Sequence, residues 1–284
     1  MLRVIGLDIY LACSKEVICF CESLFRHYKQ LDLIWKRDKD YGHRITLVIE
    51  EKNDELLTAI AKSLVTVYYT YYLSKGLKKI IKNTYYFRDE GEIEKIIQHS
   101  HGLLYNDVDY RLKKTYKDKL VNLFKQIIQE KETVYFQSIL HFQLGNFKTD
   151  LIHLVGLAID EYKQEKRHQQ FIHNIRSFLN RKEGKTRELH IVIGEKFTFY
   201  KSTGEVISQQ ELKKILQKEP LYLLGLHSSD YILAPLIAMA PKSIIVYEKS
   251  PLHSATKTIL NIFEERVTRK PLSQFPFTTY QGDL

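Results

Sequence analysis

Apolar positions along the chain repeat at two periods, and the switches between them lay out the elements. Residues 2–10 alternate loosely between apolar and polar, the two-residue period of a half-buried strand. From Ser14 the period lengthens. Val17, Cys21, Leu24 and Tyr28 fall three and four apart and predict a helix that buries that face, with Ser14 as its N-cap. Residues 31–35 and 44–49 are β-rich runs, and the polar stretch 36–44 reads as the loop of a hairpin, either a solvated turn or a contact loop. Asn53 then caps a long helix that turns Leu56, Leu57, Ile60, Leu64, Val67 and Tyr71 inward. Tyr68, Tyr69, Tyr71 and Tyr72 surround this helix. They read as packing between helices, because no interleaved arginine pattern accompanies them as base-stacking would require. Helices follow over 90–98 and 107–131. The second has Leu112, Tyr116, Leu120, Phe124 and Ile127 on one face and Lys113, Lys114 and Lys117 on the other.

The chain is organised around the helical stretch Lys148–Arg181. Leu151, Ile152, Val155, Ala158, Ile159 and Tyr162 mark one buried end, and Phe171, Ile172, Ile175, Phe178 and Leu179 mark another. Residues 160–170 between them are nearly all charged or amide. There Glu161, Glu165 and His168 share one helix face. Glu165 and His168 form a Glu-x-x-His pair, half of a di-iron ligand set, but the chain has no second such pair. The pattern therefore points to an ion-pairing or interaction surface, with Arg176 and the basic helix at 111–119 as available cations.

Beyond this stretch, residues 189–193, 197–200 and 206–207 alternate as a β-meander. Ser208 caps a short helix over 210–217, and a strand at 243–247 precedes a helix over 254–265. The expected class is α+β, a predominantly helical centre flanked by small N-terminal and C-terminal sheet units. The expected divisions are 1–52, 53–182 and 183–284, or one compact domain overall.

Composition narrows the function classes. A chain of 284 residues, 44% hydrophobic and 27% charged, can bury a sizeable core, and 12 Gly with 6 Pro exclude a linker-rich chain. Three cysteines, Cys13, Cys19 and Cys21, crowd into the first helix without disulfide spacing, which fits a reducing, cytoplasmic setting. Asp8 interrupts the first apolar run and reads against a signal peptide, and neither 56–73 nor 221–246 is apolar enough for a membrane span. The net charge of +9 permits attraction to nucleic acid or an anionic membrane surface without establishing it.

Two motif-like strings are decoys. Gly184-Lys185-Thr186 lacks the glycine that a phosphate loop needs five residues earlier and precedes a strand. His227-Ser228-Ser229-Asp230 holds triad residue types as sequence neighbours, which cannot form an oriented relay, and a helix-capping role for Ser228 or Ser229 fits better.

Several blocks do match a known pattern. Phe142-Gln143-Leu144, Ile159-Asp160-Glu161-Tyr162 and Glu165-Lys166 leading to Phe171-Ile172 resemble the central block of the YtxC-like family of sporulation proteins. Tyr86-Phe87-Arg88-Asp89-Glu90 with Ile96-Ile97 resembles its preceding helix. The run from Tyr231 to Pro241, continuing into Ser243-Ile244-Ile245-Val246, resembles its C-terminal helix and strand. The family pattern has an aromatic near His168, which this chain lacks, and that counts against His168 as a required ligand.

The resemblance implies a cytoplasmic, non-enzymatic sporulation-associated protein that acts by association with another macromolecule, with a protein partner foremost. The alternative is weak, sequence-independent nucleic-acid binding through Lys113, Lys114 and Lys117, extended by Lys78, Lys79 and Lys82. A metal-dependent enzyme using Glu161, Glu165 and His168 comes last. No catalytic residue, cofactor or metal is expected.

Overall fold

β1 (Ile5–Leu11) and the hairpin of β2 (Asp32–Asp38) and β3 (Gly42–Ile49) begin the chain, with α1 (Ser14–His27) between β1 and β2. α2 (Asp54–Tyr71), α3 (Leu73–Asn83), α4 (Glu90–Tyr105) and α5 (Tyr110–Glu130) follow. Then come the short β4 (Thr133–Tyr135), α6 (Phe136–Phe142) and α7 (Lys148–Arg181). β5 (Glu188–Ile193), β6 (Phe197–Lys201), α8 (Gln209–Gln217), α9 (Leu233–Met239), β7 (Ser243–Glu248), α10 (Ser254–Phe263) and β8 (Val267–Pro271) complete the order. The computed structural model describes residues 5–29, 31–49, 52–105, 110–182, 187–194, 197–226, 232–249 and 254–277. The class is α+β, and among the described residues no helix is long and apolar enough to cross a membrane. Two compact units divide the chain, Met1–Lys163 and Gln164–Leu284.

In the N-terminal unit the strand order is β2-β3-β1-β4, with β1 antiparallel to β3 and parallel to β4. Leu7, Ile9, Leu11, Ile45 and Leu47 line the inner face and join one core with Phe20, Leu64, Phe124 and Phe136, all 0% exposed. α1 departs from its sequence reading in two respects. Phe20 is the deeply buried residue and Cys21 is only half-buried. Cys13, not Ser14, is the N-cap, and it makes no side-chain cap bond. The buried Glu16 carboxylate instead accepts the Ala12 amide at 2.9 Å and the Tyr72 hydroxyl, to which Gln137 also donates. Burial, and then this carboxylate, push the Tyr72 phenol well above its ordinary pKa. Asn53 caps α2 as read, accepting the Leu56 amide at 2.8 Å. Tyr68 is buried with its hydroxyl 3.1 Å from that of Tyr116, so this part of the aromatic cluster is core.

In the C-terminal unit the order is β6-β5-β7-β8, with β5, β7 and β8 parallel and β6 antiparallel to β5. β8 went unread in the sequence, and the expected third meander strand at 206–207 reduces to a single bridge between Val206 and Tyr200. One sheet face packs Ile191, Ile244 and Val246 against Ile175, Leu179, Ile237 and Ile259. On the other face Val192, Tyr200 and Tyr247 lie under Leu272, Phe275 and Phe277. Ser208 caps α8 by accepting the Glu211 amide at 3.2 Å. The strings 184–186 and 227–230 lie outside the described residues.

α7 is a single helix with two apolar ends. Leu154, Val155, Ala158 and Tyr162 are buried in the N-terminal unit, Ile175 and Leu179 in the C-terminal unit, and residues 163–170 are exposed throughout.

Candidate functional site

The charged face of α7 is the first place to look for chemistry. Glu161 lies 3.5 Å from Nδ1 of His99 on α4, and Glu165 accepts the Gln169 side-chain amide at 3.0 Å. Two of the cations expected opposite them, Arg176 and Lys119, are engaged elsewhere. Arg176 pairs with Glu264 at 2.7 Å and donates to the Asn261 carbonyl, while Lys119 holds Asp150 at 2.7 Å. His168 is exposed, and among the described residues no group of three or more His, Cys, Asp or Glu side chains is placed to hold a metal.

The basic helices divide in the same way. The side chains of Lys113 and Lys114 lie outside the described residues, and Lys117 is exposed on α5. On α3, Lys78 and Lys82 close on Glu90 at 2.7 and 2.5 Å, which leaves Lys79 as the exposed lysine of that trio without a described pair. These two lysines hold the Glu90 carboxyl down at about 2. A depressed carboxylate stabilises the fold above its unfolded pKa, near 4.3, and that contribution fades as pH falls through about 2. Melting of Glu90→Gln beside the parent should therefore show the parent more stable at neutral pH and the gap closing below about pH 4. Glu90 is well exposed, so the gap is small.

Two polar clusters of the C-terminal unit are structural. His190, 4% exposed, places Nε2 3.1 Å from Glu188 and Nδ1 3.1 Å from the Tyr247 hydroxyl, and Phe277 meets its ring edge-on at 5.0 Å. Glu248, 6% exposed, accepts Thr256 at 2.9 Å and both Nε and a terminal nitrogen of Arg269, at 2.7 and 2.5 Å. Each partner set satisfies its buried group within the fold.

The outer face of the N-terminal sheet differs from all of these, because the alternation that sends Leu7, Ile9 and Leu11 inward sends Asp8 and Tyr10 outward. Register then assembles a row across all four strands. Lys36 opposes Arg44, Arg44 opposes Tyr10, and Tyr10 opposes Tyr135. The Tyr10 and Tyr135 rings stack at 4.8 Å with 16° between their planes, and Tyr41 from the hairpin loop leans on both, at 5.6 and 4.9 Å. Tyr41 is 57% exposed and Tyr135 36%.

The loop that presents Tyr41 is fixed. Asp38 accepts the amides of Asp40 and Tyr41 at 3.0 and 2.9 Å, and these bonds, Tyr41 first, hold its carboxyl below the usual range. Gly42 has φ +90°, and a Cβ there would lie 2.7 Å from the Leu11 carbonyl oxygen, so only glycine closes this turn without strain. Desolvation, then the neighbouring Tyr10 and Tyr41 phenols, raise the Tyr135 pKa, which keeps that phenol neutral. Asp8 on the same face is held by the Thr46 hydroxyl at 2.5 Å and faces Arg44 at 3.9 Å. Beside β4, an edge strand, runs a groove lined by Lys131, Ile139 and Phe142 and bordered by Tyr135.

Sequence reading noticed the 36–44 loop as a contact candidate but missed Tyr10 and Tyr135. Their meeting depends on β4, whose three residues are too few to show a period.

Comparison with known proteins places the chain in a family. Residues 58–268 match the model of the YtxC-like family. The chain is similar to the Bacillus subtilis (strain 168) protein named "Uncharacterized protein YtxC", at 30% identity over 200 residues that cover 69% of this chain and 70% of the relative. No solved structure matches the chain. A family match across most of the length, joined by a relative aligned over more than two thirds of both chains, means that the chain belongs to the YtxC-like family.

Proposed function

We propose that this chain is a non-enzymatic, sporulation-associated protein that acts in the cytoplasm by holding another macromolecule, and that the outer face of its N-terminal sheet is the contact surface. One observation carries the reading: the row Lys36–Arg44–Tyr10–Tyr135, with Tyr41 beside it, faces outward across four strands. Aromatic side chains and arginine concentrate binding energy at interfaces, because they offer a large contact area together with directed polar groups. The exposed residues 163–170 of α7 supply a second surface, but it is polar throughout, and exposed charge pairs contribute only about 0–1 kcal/mol. The aromatic face is therefore the stronger candidate.

The test compares affinity captures from sporulating cells with the parent and with Tyr10→Ser/Tyr135→Ser as bait. The variant should melt within a few degrees of the parent, since both side chains lie outside the core, and should lose the parent's principal partner. Equal recovery of that partner by both baits would refute the assignment.

A further inference from the structure

We infer that the outer face of the N-terminal sheet binds single-stranded RNA, with bases stacked on Tyr10, Tyr41 and Tyr135 and phosphates held by Lys36 and Arg44. The inference rests on the association reading above and names its partner. Three features of the row select this ligand. First, its aromatic end is a platform of three tyrosine rings, and every base offers a π-face to such rings whatever its sequence. Second, its other end is cationic, and Lys36 has no ion pair among the described residues. Arg44 faces Asp8 at 3.9 Å, a looser approach than the lysine pairs of α3, so it is available to a phosphate. Third, the two cations and the two rings follow one line across adjacent strands, each about 4.8 Å from the next, so the row spans on the order of 14 Å, the reach of a few nucleotides.

An apolar protein partner would need a broad hydrophobic patch. Here Ile34 and Val48 lie at the far side of the face, separated from the tyrosines by the polar Thr46 and Asp8. A duplex fits poorly because its bases stack on each other and cannot reach the rings. Among single strands, RNA is favoured because Thr46 and Asp8 occupy the neighbouring cross-strand positions, where they can meet a 2′-hydroxyl. The groove beside β4, with Lys131 and the 77%-exposed Phe142, extends the path beyond Tyr135. The net charge of +9 adds a diffuse attraction to the strand.

The test is fluorescence anisotropy of the full chain with a labelled 12-nucleotide oligouridylate, the matching oligothymidylate and an RNA duplex. The oligouridylate should bind at least tenfold more tightly than the duplex and more tightly than the oligothymidylate. Tyr10→Ala/Tyr135→Ala should weaken it at least tenfold, whereas Tyr10→Phe/Tyr135→Phe, which keeps the rings, should retain it. Lys36→Ala/Arg44→Ala should reduce the slope of log K against log salt by about 1.4, the value for two phosphate contacts on a single strand.

Absence of oligouridylate binding at low salt, preference for duplex or for oligothymidylate, or indifference to the tyrosine pair would each overturn the inference. The Phe variant and unchanged melting separate loss of stacking from loss of fold. If RNA does not bind while the serine variant still loses its captured partner, the RNA assignment alone falls. If neither readout depends on the tyrosines, the association reading falls with it.

Discussion

Replacing Phe124 by alanine should destabilise the protein by about 3–5 kcal/mol, which would show as a fall in the midpoint of chemical unfolding. Phe124 is 0% exposed and its ring stacks on Phe136 at 5.7 Å, while Phe136 meets Tyr72 edge-on at 5.8 Å. Removing the ring deletes most of a phenyl group's contacts and leaves a cavity whose walls, in α2, α5 and α6, are held by their own helices and can close only in part. Phe124→Leu, which keeps most of the volume, should cost well under half as much. The damage should also reach the outer face. Phe136 immediately follows Tyr135, so loosening its socket loosens β4, and Phe124→Ala should bind its partner less well even under conditions where it remains folded.

Replacing Arg269 by leucine should cost about 3 kcal/mol. Glu248 is 6% exposed and Arg269 grips one of its oxygens through two nitrogens, so the substitution strands a carboxylate where water reaches it poorly. The cost sits at the low end of the range for breaking buried pairs because the Arg269 side chain is 44% exposed and solvent already screens part of the interaction. Thr256 still donates to the other oxygen, which further limits the loss. Glu248→Leu/Arg269→Leu should recover much of the stability, because it removes the buried charge along with its partner. Denaturant melts of the single and double variants give the comparison directly. A single variant as stable as the parent would mean that Glu248 finds its compensation elsewhere.

What could be read in advance was whatever depends on neighbours in sequence. The Asn53 cap of α2, the hairpin around 36–44, the Ser208 cap of α8 and the apolar ends of α7 with their polar middle all rest on spacings of two to four residues. What escaped was set by distant pairing. β4 and β8 are short and amphipathic only in context, and each exists because a longer strand, β1 or β7, offers it a parallel edge. Val17 and Leu24 of α1 are buried as read, and the one exchange on that face arises because Phe20 and Cys21 both suit an apolar slot and the larger ring takes the deeper one. The cap of α1 sits one residue earlier than read, at Cys13 with no side-chain bond, and the Glu16 carboxylate reaches back to the Ala12 amide ahead of the helix. The outer-face row was illegible for the same reason as β4. Lys36, Arg44, Tyr10 and Tyr135 carry no local signature, and only strand register aligns them.

The central claim is that partners dock on the outer face of the N-terminal sheet, and hydroxyl-radical footprinting of the captured complex tests it most directly, because tyrosine rings report their own solvent exposure. Tyr10, Tyr41 and Tyr135 should be protected in the complex relative to the free chain, while residues 163–170 of α7 react equally in both. Protection confined to α7 or to the C-terminal unit, with the three tyrosines as reactive as in the free protein, would contradict it.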